Sequence, residues 1–531
     1  MSDTSCPVEL LVGLGPDVRV ISVVPLLFDR LRVTVETTGS APVCPGCGRR
    51  AWVKDRSEVS LIDLNCFGKP VELVWRKRRW QCTNRVCGVG SWVEHSDAIT
   101  PARSKMTSRA GRWATFQVGR YGRAIAEVAD ELGCSWHTIN STVVAWGKAL
   151  LEADTSRVGV TKAVGLDEIL HERRGRYRTK NWATTIVDVA TGQLIEMVEG
   201  RTAGPVITWF ETQPETWTDR IRYGVLDLSG AYRKVFNHAL SHVRQIADRF
   251  HVTQLANRRL DECRRRIQQE QHGHRGRAGD PLYRIRRTLT MGTERLDDSA
   301  RRRLEAFLAS GDPHGEVAAL LHAKEAVRQL YEIGHHSNAV EYLEDLVGIL
   351  IDDTLPPEAN TLGRTLRTWA AQVTNWHLGR YSNGPTEGAN NRIKRVKRAG
   401  YGISRFEHLR IRALLYAGNP NWELLETITP RSIAEHRIAM LVFGTPFAPV
   451  GLLALLHDTS VGYNCYGANT RMGSHQLILL TLWSIATGIA RSYNDRSVFR
   501  VIVIRSAGVG VAVAITVQSR WGAPICGAGG Y

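Results

Sequence analysis

Along residues 1 to about 40, apolar and polar positions alternate weakly, as they do in short strands. Between Ala41 and His95 two further stretches carry strand character, SLIDL (60–64) and PVELVWRKRRWQC (70–82), with Gly68 at the turn joining them. From about Ser104 to Glu152 the period lengthens to that of helices. Ile125, Val128, Ala129 and Leu132 form one apolar face, and Gly133 stops that helix. Ser135 is placed to cap the next one, in which Trp136, Ile139 and Val143 face inward. From Ala163 the period returns to that of strands. KAVGLDEILHERRG reads as a strand with Asp167 near its end, and NWATTIVDVATGQLIEMVEGR as a hairpin turning at Thr191-Gly192. Two more apolar strands, in IRYGVLDLSGAYRKVF and HVRQIADRFHV, end at Asp227 and Asp248 just ahead of helices. A charged helical region fills roughly 247 to 350, and a last helical part ends near Leu425. No internal repeat is evident.

The pattern changes from about Pro430. Charge density falls and Gly, Ala, Leu, Ile and Val take over. HQLILLTLWSIATGIA is shorter than a standard membrane span, and Arg505 interrupts VIVIRSAGVGVAVAITV, so membrane insertion is not expected. Residues 429–531 read as an appended or frame-shifted apolar tail of unknown role in preference to an accessory domain.

Composition narrows the function classes. A chain of 531 residues with 43% hydrophobic and 23% charged positions has room for several cores. Its formal net charge of +17 favours a polyanionic partner, either nucleic acid or a membrane surface, over a basic enzyme with no such partner. The N-terminus lacks a basic stretch followed by a clean apolar run, so a cytoplasmic protein is expected.

Four of the ten cysteines form two close pairs, Cys44 and Cys47 in CPGCG and Cys82 and Cys87 in CTNRVC. Two thiolates on a tight knuckle can face one ion, and a second pair brought alongside by a hairpin completes a tetrahedral structural zinc site. The second spacing is the looser one. Four ordinary cysteines remain the alternative, with Cys66 and His95 as substitute ligands. Beside the second pair, Arg76, Lys77, Arg78 and Arg79 lie between Trp75 and Trp80, either as phosphate contacts or as a solvated strand face. Ala129, Gly133 and Ile139 have the spacing of a helix-turn-helix, whose second helix would present His137, Thr138 and Asn140 to a groove. Many helical hairpins satisfy that pattern.

Asp167 and Asp227 each close an apolar strand. Strands lying side by side would force the two carboxylates together, and a cation such as magnesium or manganese would settle them. Taken singly, each is an ordinary turn or cap aspartate. A third acid, Glu387, opens SNGPTEGANNRIKRVKRAGYG, in which Pro385 suits a helix start. Glu387, Asn391, Lys394 and Arg398 share one face, and Ala389, Ile393 and Val396 share another that can pack on a sheet. Glu387 is either a metal ligand at the head of a cationic helix or a first-turn carboxylate offset by its neighbours.

CPGCG with RRWQCTNRVC, the helix-turn-helix, VGLDE, LDLSGAY, ADRFHV and above all SNGPTEGANNRIKRVKRAGYG resemble the bacterial insertion-sequence transposases with an Asp-Asp-Glu triad, in the group with an N-terminal four-cysteine zinc module (the ISL-three family). The resemblance covers roughly residues 40 to 425. It implies a multidomain α+β protein: a zinc-binding domain (1–100), a helix-turn-helix domain (101–158), and a ribonuclease-H-like α/β catalytic domain (159–428) with an all-helical insertion at about 255–370. It places the triad on Asp167, Asp227 and Glu387 with two magnesium or manganese ions, and zinc on Cys44, Cys47, Cys82 and Cys87. Asp248 and His251 become a secondary site feature, and Arg392, Lys394, Arg395, Lys397 and Arg398 position backbone phosphates. The implied activity is DNA cleavage and strand transfer at the ends of an insertion sequence, by a dimer or larger assembly on terminal inverted repeats and target DNA, at the nucleoid and without a small-molecule cofactor. The rival reading is a decayed transposase that only binds DNA; retention of all three acids argues against it.

Overall fold

The computed structural model describes residues 13–430, together with the backbone of residues 498–505 and 511–518. The first sheet holds β1 (Val18–Leu26), β2 (Arg30–Thr37), β3 (Ala51–Cys66), β4 (Lys69–Cys82) and β5 (Ser91–Val93), in the order β1-β2-β4-β3 with β5 on β4. Phe67 and Gly68 both have positive φ, 51° and 78°, the backbone that a two-residue hairpin turn requires. β3 starts at Ala51, nine residues before the expected SLIDL. Its outer half is polar because it pairs with WRKRRW, setting Asp55 opposite Arg79 and Glu58 opposite Arg76.

Three helices follow, α1 (Ser108–Gly119), α2 (Ile125–Glu131) and α3 (Trp136–Ala153). Thr107 and Ser135 cap the first and third through their side-chain oxygens. Gly133, at φ 62°, ends the second as expected. Ile125, Val128, Leu132, Ile139 and Val143 are buried together. Trp136 is 37% exposed rather than inward, because it occupies the first turn of α3; Trp146 fills the interior instead. Fully buried Asp63 of β3 accepts from Thr107 Oγ1 at 2.7 Å and from Arg109, tying the first sheet to these helices.

The second sheet contains β6 (Ala163–Arg174), β7 (Thr179–Asp188), β8 (Gln193–Glu199), β9 (Tyr223–Leu226) and β10 (Arg244–Ala247), in the order β10-β9-β6-β7-β8. β6 to β8 form an antiparallel meander turning at Gly192, whereas β9 and β10 run parallel to β6. Helices α4 (Ala203–Glu211), α5 (Glu215–Thr218) and α6 (Gly230–Ala239) connect them. Between β10 and residue 383 only helices and turns occur: α7 (Arg249–His272), α8 (Pro281–Arg284), α9 (Asp298–Gly311), α10 (Glu316–Gln329), α11 (His336–Leu350), α12 (Pro357–Thr368), α13 (Ala370–Thr374) and α14 (Trp376–Gly379). Leu320, Leu343 and Leu362 of this region share one apolar cluster with Leu166, Val225 and Phe236 of the sheet layer.

The last helices, α15 (Gly384–Ala399) and α16 (Phe406–Ala417), cover another apolar surface of the sheet. Ala389, Ile393 and Val396 meet Ile169, Ala183 and Val187 there, as their spacing predicted. Burying Ile393 and Val396 is worth roughly 1.5–3 kcal/mol each, which holds α15 in place. The described residues up to 430 belong to one compact unit, and the two strands described after them to a second. In the second, β11 (Val498–Arg505) pairs antiparallel with β12 (Val511–Gln518), so the described parts of VIVIRSAGVGVAVAITV are paired strands. HQLILLTLWSIATGIA lies outside the described residues. Among those described, no helix is long and apolar enough to cross a membrane.

Candidate carboxylate centre and zinc module

The register of the second sheet brings the aspartates together. Gly165 of β6 lies beside Val225 of β9, so Asp167 and Asp227 both emerge two residues beyond the same pair. Ala247 of β10 lies beside Leu226, which puts Asp248 at the same edge. β6 does not end at Asp167, as expected, but runs seven residues further, because its outer half pairs with β7. The head of α15 packs on Gly165, where a Cβ would overlap Thr386 Oγ1 and come within 3.4 Å of Asn383 Oδ1. That close approach fixes the first turn of α15, from which the charge of exposed Glu387 reaches His251, as that of Asp227 does.

Each carboxylate has a distinct environment. Asp167 accepts from the Glu168 N–H at 2.7 Å and from Asn390 Nδ2 at 2.8 Å, and Thr185 Oγ1 donates to Asn390 Oδ1 at 3.1 Å. Burial raises the Asp167 carboxyl above its ordinary range. Asp227 Oδ1 is buried with no hydrogen-bond partner among the described residues. Burial, then the charge of Asp167, pushes Asp227 up to about 6. Asp248 accepts from the Asn383 N–H at 3.0 Å and pairs with His251 Nδ1 at 3.0 Å. Burial works against the Asp248 carboxylate, but those bonds outweigh it and hold its pKa low; in return Asp248 raises His251, with Asp227 and Glu387 adding to the effect. The edge therefore combines two carboxyls whose charged forms are disfavoured, an orphaned oxygen, and an imidazole whose protonated form its acidic neighbours favour. An oxygen-liganded divalent cation suits such a donor set. Among the described residues, only the four cysteines bring three or more ligand atoms within 4.8 Å of one another, so the three acids do not close around a single ion.

Those cysteines are Cys44, Cys47, Cys82 and Cys87. Cys44 Sγ is 3.7 Å from Cys87 Sγ, and Cys47 Sγ is 3.4 Å from Cys82 Sγ. Four thiols at this spacing fit a tetrahedral zinc ion. The substitute ligands fall away: Cys66 packs against the core of the first sheet, and exposed His95 pairs with Asp97 at 2.8 Å.

The cationic candidates divide. Arg78 is buried and donates to Glu94 at 2.6 Å and to Gly39 O at 2.7 Å, so its role is structural rather than DNA contact. Lys77 lies over Trp75 at 4.7 Å, Arg76 is near Glu36 at 3.9 Å, and Arg79 is exposed. Asn140 is buried and its Nδ2 lies 3.2 Å from His408 Nδ1, which takes it away from any groove. His137 is exposed, and Thr138 Oγ1 is 2.9 Å from Ser135 Oγ. On α15, Lys394 and Arg398 are exposed and Arg395 lies 5.7 Å from the Tyr416 ring centroid. Arg392 donates to Gly192 O. Lys397 turns inward to Leu170 O, and burial lowers its pKa, so it does not face a phosphate.

Residues 164–413 match the ISL3 model described as "Transposase", and residues 40–87 match the "zinc-finger of transposase IS204/IS1001/IS1096/IS1165". Together the two spans take in more than half of the chain. The chain belongs to the ISL3 transposase family. Within curated proteins, the transposase for insertion sequence element IS1001 of Bordetella parapertussis is 24% identical over 414 residues, 73% of this chain and 92% of that protein. An ATP-dependent protease of Lactococcus lactis subsp. lactis is 38% identical over 65 residues, 12% of this chain and 21% of that protein, too short a stretch to bear on activity. In this ISL3 transposase the carboxylate centre lies inside the first matched span and the four cysteines inside the second. Sequence reasoning missed Asn390, Thr185 and Asn383. A signal existed for Asn390, which lies three residues after Glu387 and so one turn along the same helix face.

Proposed function

We propose that this ISL3 transposase cuts DNA at the ends of its insertion sequence and joins the freed 3′-hydroxyl to target DNA, with Asp167, Asp227 and Glu387 as the metal-holding triad. The observation that carries this reading is the buried, partnerless Asp227 Oδ1, two residues past the β9 position that pairs with the base of the Asp167 strand. Leaving a carboxylate oxygen so placed costs free energy unless a cation meets it. Magnesium or manganese held there supplies an activated water or 3′-hydroxyl and stabilises the leaving oxygen.

The chain's own residues do the positioning. Asn390, steadied by Thr185, fixes the Asp167 rotamer so that its remaining lone pairs face the centre. Glu387 adds the third carboxylate from the head of α15. His251, whose protonated form Asp248 favours, stands at the same edge to meet the phosphate that is cut. Lys394, Arg395 and Arg398 then follow the DNA backbone along α15. The five-stranded sheet with its acids supports a ribonuclease-H-like catalytic domain with a helical insertion. Helices α2 and α3 support a helix-turn-helix that works with the zinc module on the terminal inverted repeats. Handling two ends together calls for a dimer or larger assembly, acting in the cytoplasm at the nucleoid.

The test is cleavage of DNA carrying the element's own end, with and without magnesium. Wild-type protein should cut only with the metal, and Asp227→Ala should bind the same DNA with unchanged affinity yet not cut. Cutting that survives Asp227→Ala would remove Asp227 from the triad.

A further inference from the structure

β6 and β7 continue past the carboxylate centre as a two-stranded ribbon. β6 pairs with β9 only over Ala163–Gly165, and β7 pairs with β8 only from Ala183 onward. The two pair with each other out to Arg174 and Thr179. The segment LHERRGRYRTKNW, residues 170–182, therefore has no further strand on either side. Arg173, Arg174, Arg176, Arg178 and Lys180 are all exposed, and Tyr177 at the tip is 89% exposed. Glu172 is the segment's single carboxylate, and it is engaged by Asn181 Nδ2 at 3.0 Å and by Arg174 at 3.7 Å.

Two features of the ribbon work against the isolated fold. Arg173 lies directly opposite Lys180, and like charges so placed are destabilising. The turn closes with the Arg178 N–H donating to Gly175 O at 3.1 Å while Arg178 itself sits at φ 50°. An arginine in the left-handed region costs on the order of 1 kcal/mol where glycine would cost nothing. No buried side chain beyond His171 offsets either cost until the ribbon returns to the sheet at Ala183. A polyanion lying along the ribbon would offset both.

We propose that this ribbon is a DNA-binding arm that enters the major groove about six base pairs from the bond cut at Asp167. The inference rests on the reading of the carboxylate centre given above. Six to seven residues of strand, at about 3.3 Å each, carry Arg173 and Arg174 roughly 20–23 Å from Asp167. At 3.4 Å per base pair that is about six pairs. A major groove about 12 Å wide admits a two-stranded ribbon. The guanidinium forks of the arm match phosphate oxygens, and the Tyr177 ring offers a stacking surface at the tip. DNA is favoured over an acidic protein because the arm is the direct continuation of the strand that carries Asp167.

The test uses full-length, zinc-loaded protein without added magnesium or manganese, and a 40-base-pair duplex of mixed sequence. The arm variant is Arg173→Ala/Arg176→Ala/Arg178→Ala/Lys180→Ala. The control, Arg301→Ala/Arg302→Ala/Arg303→Ala/Arg364→Ala, makes the same charge change on exposed helix positions elsewhere. The slope of log affinity against log salt changes by about 0.9 per phosphate contact. The arm variant should therefore lose about three in slope and at least tenfold in affinity near 0.1 M salt, the control less than one in slope. Lysine at the three arginine positions should retain the slope, which separates loss of charge from loss of folding. A hydroxyl-radical footprint on the element's own end should lose its protection about six base pairs from the terminus only in the arm variant. Equal losses in arm and control variants, or an unchanged footprint, overturn the arm. Because binding is read without catalytic metal, an arm-dependent slope in a protein that never cuts keeps the arm and sinks the catalytic reading. Normal cutting by a protein whose slope ignores the arm does the reverse.

Discussion

Replacing Asp227 by asparagine should stabilise the protein when no magnesium or manganese is present. The Asp227 carboxyl is raised from 3.8 to about 6, first by burial and then by Asp167. At 1.36 kcal/mol per pKa unit this gap corresponds to roughly 3 kcal/mol, which solvent screening of a half-buried group reduces to about 1–2 kcal/mol. Between pH 4 and 6 the folded state binds more protons at this site than the unfolded chain does. Stability therefore falls as pH rises through that window and stays lower above it. An uncharged amide at this position would carry no such penalty. At about 2 cal/mol/K of unfolding entropy per residue, a unit of some 400 residues should melt about 1–2 °C higher as Asp227→Asn at pH 7.5. About half of that advantage should remain at pH 5. Adding magnesium should raise the wild-type melting temperature and leave the variant nearly unmoved. The assay is a thermal melt at both pH values, in buffer that leaves the zinc in place. A variant that melts at or below wild type at pH 7.5, or a difference that ignores pH, would refute the reasoning.

Other substitutions probe the parts that set this geometry. Gly165→Ala puts a Cβ against Thr386 Oγ1 and 3.0 Å from Val189 Cγ2, so it should cost about 1–3 kcal/mol and displace Glu387. Cleavage should then fall about 100-fold while DNA affinity stays within about twofold, as gel-based cutting and binding assays would show. Arg78→Ala takes the cationic partner from buried Glu94, which keeps only the Thr37 hydroxyl and the residue-78 N–H, and should destabilise by roughly 2–3 kcal/mol, whereas Arg79→Ala on the exposed side should stay within about 0.5 kcal/mol; denaturant melts separate the two. Cys82→Ser should drop the zinc content from about one ion per chain towards none by elemental analysis, with a lower melting temperature; full zinc retention would mean the four thiols are not the ligands.

The zinc cysteines were legible because a knuckle and a hairpin are local devices, and the hairpin between the pairs could be read from its alternation. Asp167 and Asp227 were legible because each follows an apolar strand, although their shared register with Gly165 and Val225 depends on tertiary packing. The α15 faces followed directly from helical spacing. What escaped depends on partners distant in sequence or on a face that buries nothing. Asn140 turns inward because His408, 268 residues away, meets it. Arg78 is held by Glu94 on a neighbouring segment, and Lys397 by the backbone of β6. Beyond His171 the extension of β6 left no hydrophobic alternation, since the two-stranded arm there has no buried side to write one. Asn390 was passed over because its one signal, a place one turn along from Glu387, does not point to Asp167, the carboxylate 223 residues away that it orients.

The most direct measurement is strand transfer by purified, zinc-loaded protein, using linear DNA that carries the element's own ends, a supercoiled target, and magnesium, with Glu387→Gln alongside. Joined products from the unmodified protein and none from Glu387→Gln are expected. Tight binding of the ends with neither cutting nor joining, in magnesium or manganese, would contradict the catalytic role of the centre and leave a zinc-containing DNA-binding protein.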